Sequence, residues 1–160
     1  MRDLKVTAIT SQAIWGRTAV PVQASLRRIG VEVEFQEAQA VEVLSARARG
    51  DFQMVIASTV GSPDPDHYLY GQFHSSSSAN FGKYRNATFD RLAEQQREEF
   101  NLARRQALVR QAQDLLLQEA PMLFTTSGAA YPTAWSYVKD WTIIPGFNLG
   151  WVSARIWLDR

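Results

Sequence analysis

A chain of 160 residues with 46% hydrophobic and 21% charged side chains has the size and composition of one folded domain with its own core, which excludes a disordered tail. A formal charge of +1 leaves no global field to attract nucleic acid or an anionic membrane, and zero cysteines exclude disulfides and thiolate metal sites. No apolar run approaches a membrane span, and the opening "MRDLKVTAITSQ" lacks the long apolar stretch of a secretory signal, so the chain is either cytosolic or a piece whose address label lies elsewhere.

Residues 4–10, "LKVTAIT", read as a strand. Residues 17–29 follow as a helix with Val20, Ala24, Leu26 and Ile29 near one side, and Pro21 is expected in its first turn. Gly30 is placed to stop that helix in a left-handed conformation. In residues 31–38, Val31, Val33 and Phe35 alternate with Glu32, Glu34 and Gln36, the pattern of a strand with one wet face. Residues 40–49 form a short helix closed by Gly50, and "FQMVIAS", 52–58, is apolar enough for a strand covered on both faces. This β-α-β-α-β alternation implies a parallel sheet with right-handed crossovers, and the wet second strand suggests the order 2-1-3.

Beyond residue 58 the character changes. Residues 65–74 read as a short helix, "HSSSSANFGKYRN" as a polar loop, and 88–100 and 102–119 as two helices. In the second, Leu102, Leu108, Val109, Ala112, Leu115, Leu116 and Ala120 make an apolar stripe, with Asn101 as cap and Pro121 as stop. "MLFTTS", from Met122, reads as a strand. Four of the five tryptophans, Trp135, Trp141, Trp151 and Trp157, fall in the last 40 residues, where so much aromatic surface requires a partner. The division expected is an α/β lobe over 1–120 and a hinge crossing with a Trp-rich tail over 121–160. That tail would pack on a second body or a second copy of the chain.

The acidic knot Asp64-Pro65-Asp66-His67 reads first as a helix start: Asp64 as cap, Pro65 at the first helical position, Asp66 facing the positive end of the dipole. Chemical readings compete with it. A metal site would draw on Asp64, Asp66, His67 and His74, but their spacing matches no established ligand pattern. A Ser/His/Asp hydrolase has the residue types without a G-x-S-x-G elbow, and a nucleotide site would need more glycine than "TSQAIWG" offers. Neither a metal nor another cofactor is expected.

A further reading concerns what precedes the knot. In open parallel sheets, ligands bind beyond the carboxyl ends of the strands at the switch point. With order 2-1-3, the loops "TSQAIW" (10–15) and "STVGSP" (58–63) converge there. Ser11, Trp15, Ser58, Thr59, Val60, Gly61 and Ser62 offer hydroxyls, backbone N–H groups and one aromatic plate, a set suited to noncovalent capture of a small molecule. Asn80 reads as a residue that shapes its loop, Asn86-Ala87-Thr88 as a turn into a helix, and Arg104, Arg105 and Arg110 as a solvated helix face.

The succession "VQASLRRIGVEVEFQEA", "GDFQMVIAS", "DPDHYLYGQF", "NFGKYRNATFDRLAEQQ" and "RRQALVRQAQDLLLQEAPMLF" resembles the solute-binding proteins of peptide, nickel and oligosaccharide ABC transporters, the family 5 (cluster C) group. The resemblance covers roughly residues 20–125 and implies the C-terminal, type II-like lobe of a two-lobed receptor. By the same resemblance the protein is not an enzyme; it closes on its ligand as a hinged clamp. It would stand in the periplasm or be anchored to the membrane outside the cell, deliver its ligand to a membrane permease, and bind no nucleic acid. Peptide receptors of this family usually carry a tryptophan just after the third strand and, shortly before Asp-Pro-Asp, an aspartate that pairs with the peptide amine. Ser58–Pro63 contains neither, which removes that amine contact and points to another cargo. The alternative is a cytosolic ligand-sensing effector domain of a regulator with the same fold.

Overall fold

Seven extended residues, Leu4–Thr10, form β1, followed by α1 (Gln12–Arg27), β2 (Val31–Glu37), α2 (Ala40–Arg49) and β3 (Met54–Val55). This computed structural model describes residues 4–10, 12–57, 62–125, 133–141 and 155–159, and at 4–5 and 12–17 the backbone alone. The chain divides into two compact units, Met1–Thr59 with Gln72–Asn86, and Val60–Gly71 with Ala87–Arg160.

In the first unit β1 pairs in parallel with β2 along its whole length, from Leu4 opposite Val31 to Thr10 opposite Glu37. On its other side β1 pairs in parallel with β3, Ala8 opposite Met54 and Ile9 opposite Val55. The order is therefore β2-β1-β3, as the alternation of elements implied. Val33 is buried while Glu32, Glu34 and Gln36 are exposed, so β2 keeps one wet face.

Four expectations for this unit are corrected: the start of α1, the place of Pro21, the inward stripe of that helix and the length of β3. The helix begins at Gln12, so Gln12–Trp15 belong to α1 and not to a loop, and Pro21 lies in its interior. A lone Gly16 does not break a helix that packs on a sheet. Packing on β2 also sets the inward stripe at Ala19, Val22 and Leu26, which leaves Val20 and Ile29 exposed. The third strand has two residues where seven were expected, because Gln53 Oε1 accepts the Thr7 N–H at 2.8 Å in place of a strand carbonyl. Gly30 (φ 81°) and Gly50 (φ 78°) both end their turns in the left-handed region, where a Cβ is unfavourable. In the 74–86 loop, buried Asn80 donates to the Tyr84 and His74 carbonyls and accepts the Tyr84 N–H at 3.0 Å. Asn80 shapes the loop.

The second unit holds α3 (Asp66–Tyr68), α4 (Ala87–Glu98) and α5 (Leu102–Glu119), and α3 runs on into the wide turn Leu69–Phe73, whose last two residues belong to the first unit. The expected helix over 65–74 is thus mostly a widened turn, whose ends Leu69 and Phe73 are both buried. α4 packs on α5, with Phe89, Ala93 and Gln96 buried on one and Ala112 and Leu116 on the other. Asn101 caps α5 by accepting the Arg104 N–H at 3.1 Å, and Ala120 closes it at φ 46° ahead of Pro121. The apolar stripe of α5 is narrower than expected, since Leu102 is exposed and Ala120 lies past the helix.

Met122–Thr125 do not form the expected strand, and Thr126 and Ser127 lie outside the described residues. In the tail, β4 (Val138–Lys139) pairs antiparallel with β5 (Trp157–Leu158). Trp157 Nε1 donates to Asp140 at 3.0 Å there, and Trp135 stacks on Tyr137 while staying exposed. Trp141 is partly buried, and Trp151 lies outside the described residues.

Candidate functional site

The first unit brings the ends of its strands to one edge. Thr10 closes β1, its carbonyl accepts the Ala38 N–H at 3.0 Å, and the Ile56 N–H reaches the Ile9 carbonyl at 3.2 Å. The chain therefore leaves β1 after Thr10 and β3 after Val55 from the same carboxyl edge of adjacent parallel strands. That is the switch point at which an open α/β sheet offers a crevice.

Of the residues expected to hold a ligand, Ser11, Ser58, Thr59, Val60 and Gly61 lie outside the described residues. Trp15 sits in the first turns of α1. Ser62 is described, in the second unit, and is held from two sides. Its N–H donates to the Tyr68 hydroxyl at 3.1 Å, and its Oγ accepts the Asp64 N–H at 3.3 Å.

The acidic knot is built into the second unit by α4 and α5. Asp64 Oδ1 accepts the Asp66 N–H at 2.9 Å, a capping bond, and the Arg105 Nη2 at 2.7 Å. Asp66 Oδ1 accepts from Gln96 Nε2 at 2.7 Å and pairs with Arg97 Nε at 3.2 Å. Gln96 is fully buried, and its Oε1 accepts from Arg105 Nε at 3.1 Å and Nη2 at 3.0 Å. Arg97 lies over the Tyr70 ring, 4.1 Å from its centre. Asp64, Asp66, His67, Arg97 and Arg105 line an open cleft of about 380 Å³ in which the carboxylates and guanidiniums pair with one another.

This corrects the reading of Arg105 as part of a solvated face: its guanidinium ties α5 to α4 and to the knot. The metal reading also falls. The two carboxylates take arginines as partners, His74 Nδ1 engages Ser76, and no group of three or more His, Cys, Asp or Glu among the described residues could hold a metal ion. Sequence reasoning missed Gln96, Arg97 and Arg105. Gln96 was findable, because it lies on the Phe89–Ala93 stripe at i+7. Arg105, 41 residues from Asp64, carried no local signal.

The Asp66 N–H and then the Arg105 guanidinium hold the Asp64 carboxyl below the usual carboxylate range. A folded-state pKa below the unfolded one means that the unfolded chain binds more protons, so this stability is present above the unfolded value and is lost as pH falls through the folded one. Melting temperature should therefore fall on acidification from about pH 4 downward. Asp64→Asn, which keeps a capping oxygen without the titrating charge, should flatten that dependence. An unchanged acid slope in the variant would remove Asp64 from the account.

No family model matches the chain. The probable deoxycholate-binding periplasmic protein YgiS of Escherichia coli K12 is 26% identical over 108 residues, 67% of this chain and 20% of its own length. Among solved structures, the murein tripeptide binding protein MppA of Escherichia coli is 26% identical at a TM-score of 0.68, covering 74% of this chain and 24% of that one. The ABC transporter-associated periplasmic binding protein DppA from Helicobacter pylori, in complex with peptide STSA, shares the fold at a TM-score of 0.77 and 24% identity, over 99% of this chain and 32% of that one. The chain thus spans between 20% and 32% of the length of these relatives. They are binding proteins rather than enzymes, and they lend no support to the regulator alternative. The structural neighbours of this chain are family 5 peptide- and nickel-type ABC transporter solute-binding proteins, and over most of its length it carries the α/β lobe fold of that family.

Proposed function

We propose that this chain is the ligand-binding lobe of a solute-binding protein of an ABC importer, which captures a peptide or other small solute in a cleft between two lobes and passes it to a membrane permease. The observation that carries the reading is the exit of β1 and β3 from one carboxyl edge as parallel neighbours. Ser11, Trp15, Ser58, Thr59, Val60, Gly61 and Ser62 contact the solute, and Asp64, Pro65 and Asp66 set the geometry of the segment that follows β3. The chemistry is binding without turnover, in the periplasm, where the relatives YgiS and MppA are binding proteins. No helix among the described residues is long and apolar enough to cross a membrane. Residues 1–120 are the lobe, and 121–160 cross the hinge and dock the Trp-rich tail on the other lobe.

Residues 58–63 hold no acid, so cargo recognition does not run through a peptide amine in this loop. A thermal-shift and native mass-spectrometry screen of the full-length protein tests the reading with short peptides, a murein tripeptide, deoxycholate, nickel and oligosaccharides. One class should raise Tm saturably and be recovered unaltered. Chemical conversion of a bound compound, or no stabilisation by any class, would overturn it.

A further inference from the structure

Ser62 closes the run of proposed solute contacts after β3, and three short-range bonds shape the chain from there to α3. Its N–H donates to the Tyr68 hydroxyl at 3.1 Å, its Oγ accepts the Asp64 N–H at 3.3 Å, and Asp64 Oδ1 accepts the Asp66 N–H at 2.9 Å. None of these bonds holds the turn by itself. α3 has three residues, and a single helical turn gains too little to offset the ordering of its backbone. The Asp64 side chain is 53% exposed, so water competes for its oxygens.

What fixes the turn comes from far along the chain. Arg105 Nη2 reaches Asp64 from 41 residues away at 2.7 Å, and Gln96 Nε2 reaches Asp66 from 30 residues away, also at 2.7 Å. The two donors are themselves fixed. Gln96 is fully buried, donates to the Ala93 carbonyl at 3.1 Å and accepts both Arg105 Nε and Nη2. Arg97 adds an ion pair to Asp66 and lies over the ring of Tyr70, two residues beyond Tyr68. All of these groups belong to the second unit, so the brace is complete within one compact body.

We propose that Arg105 and Gln96 are positioning residues for solute binding: without touching the solute, they hold Asp64 and Asp66, which with Tyr68 set the backbone and hydroxyl of Ser62 before a solute arrives. The proposal rests on the solute-binding reading for what the loop captures, and adds that the strength of capture is set in part from α4 and α5. A loop already held in its binding geometry loses less entropy on capture. Loosening the brace therefore weakens binding while every residue at the solute stays the same.

The test reads amide exchange of Ser62, Asp64 and Asp66 by NMR in nitrogen-15-labelled full-length protein, then titrates each variant with the compound of the solute panel that raised Tm. Tyr68→Phe removes the hydroxyl and should speed exchange at Ser62 about fivefold, and Arg105→Met should do so at all three amides. In both variants solute affinity should fall about fivefold to tenfold. Arg105→Lys keeps the reach to Asp64 without the fork, so it should restore slow exchange and affinity while most of the stability loss remains. Phe89→Leu loosens the same helix pair away from the knot, and should lower Tm with the three amides and the affinity unchanged. Unchanged exchange in Arg105→Met, equal effects of Phe89→Leu and Arg105→Met on these amides, no recovery in Arg105→Lys, or unchanged affinity despite faster exchange would each overturn the positioning role. Faster exchange confined to Tyr68→Phe and Arg105→Met, in a protein that no member of the panel stabilises, would support the brace and sink the solute-binding reading alone.

Discussion

Phe89→Ala should destabilise the chain by about 3–5 kcal/mol, read as a lower urea midpoint at an unchanged denaturant slope. Phe89 is fully buried near the start of α4, one turn before Ala93 and two before Gln96, both also fully buried. On α5 the inward residues are Ala112 and Leu116. Two of these neighbours are alanines, which have no rotamer to swing into the vacated volume. The cavity should persist, placing the cost in the upper part of the range. A change below about 1.5 kcal/mol would mean that the helix pair collapses freely there, and that α4 and α5 are held by something other than this aromatic ring.

Arg105→Met is expected to cost about 2–3 kcal/mol, through an acceptor left behind rather than a charge pair lost. The guanidinium makes two bonds to the buried Gln96 Oε1 and one to its carbonyl, besides the 2.7 Å bond to Asp64. Methionine matches the stem but leaves Gln96 Oε1 unpaired in the interior, worth about 1–3 kcal/mol. The Asp64 bond adds less, about 0.5–1 kcal/mol, because that carboxylate is 53% exposed and screened by solvent. Arg105→Lys should recover only the smaller part, since one ammonium cannot reproduce the fork that spans Gln96 and Asp64. A double-mutant cycle with Asp64→Asn in urea checks the apportionment. If the two changes add within about 0.3–0.5 kcal/mol, the link between α5 and the knot carries no energy.

How far each feature could be read ahead depended on whether its cause was local. The alternation of Val31, Val33 and Phe35 with Glu32, Glu34 and Gln36 is visible within seven residues, and β2 follows it. Asn101 and Gly50 end or begin helices through bonds that reach at most five residues, so their roles were legible too. The start of α1 was not. Gln12–Trp15 contain no helix signal, and they join the helix because its later residues pack on β2. The length of β3 escaped for a similar reason: Gln53 offers Thr7 a side-chain carbonyl from 46 positions away.

The candidate site divides the same way. That two corners would meet at one edge followed from element order, because short connections with right-handed crossovers leave few arrangements of three parallel strands. That Arg105 serves Asp64 depends on residues 41 positions apart, and that Thr10 is buried with its hydroxyl unpaired depends on how the elements pack around β1.

The amino-acid order alone determined the α/β class, the strand order β2-β1-β3, the caps at Asn101 and Gly50, and the absence of any acidic residue from positions 58–63. Each depends on periodicity, on a short-range bond or on which residue is present. Only the tertiary structure decided which polar groups are paired in the interior. Pairing there is set by which side chains folding removes from water together, and no window of neighbouring residues contains that information.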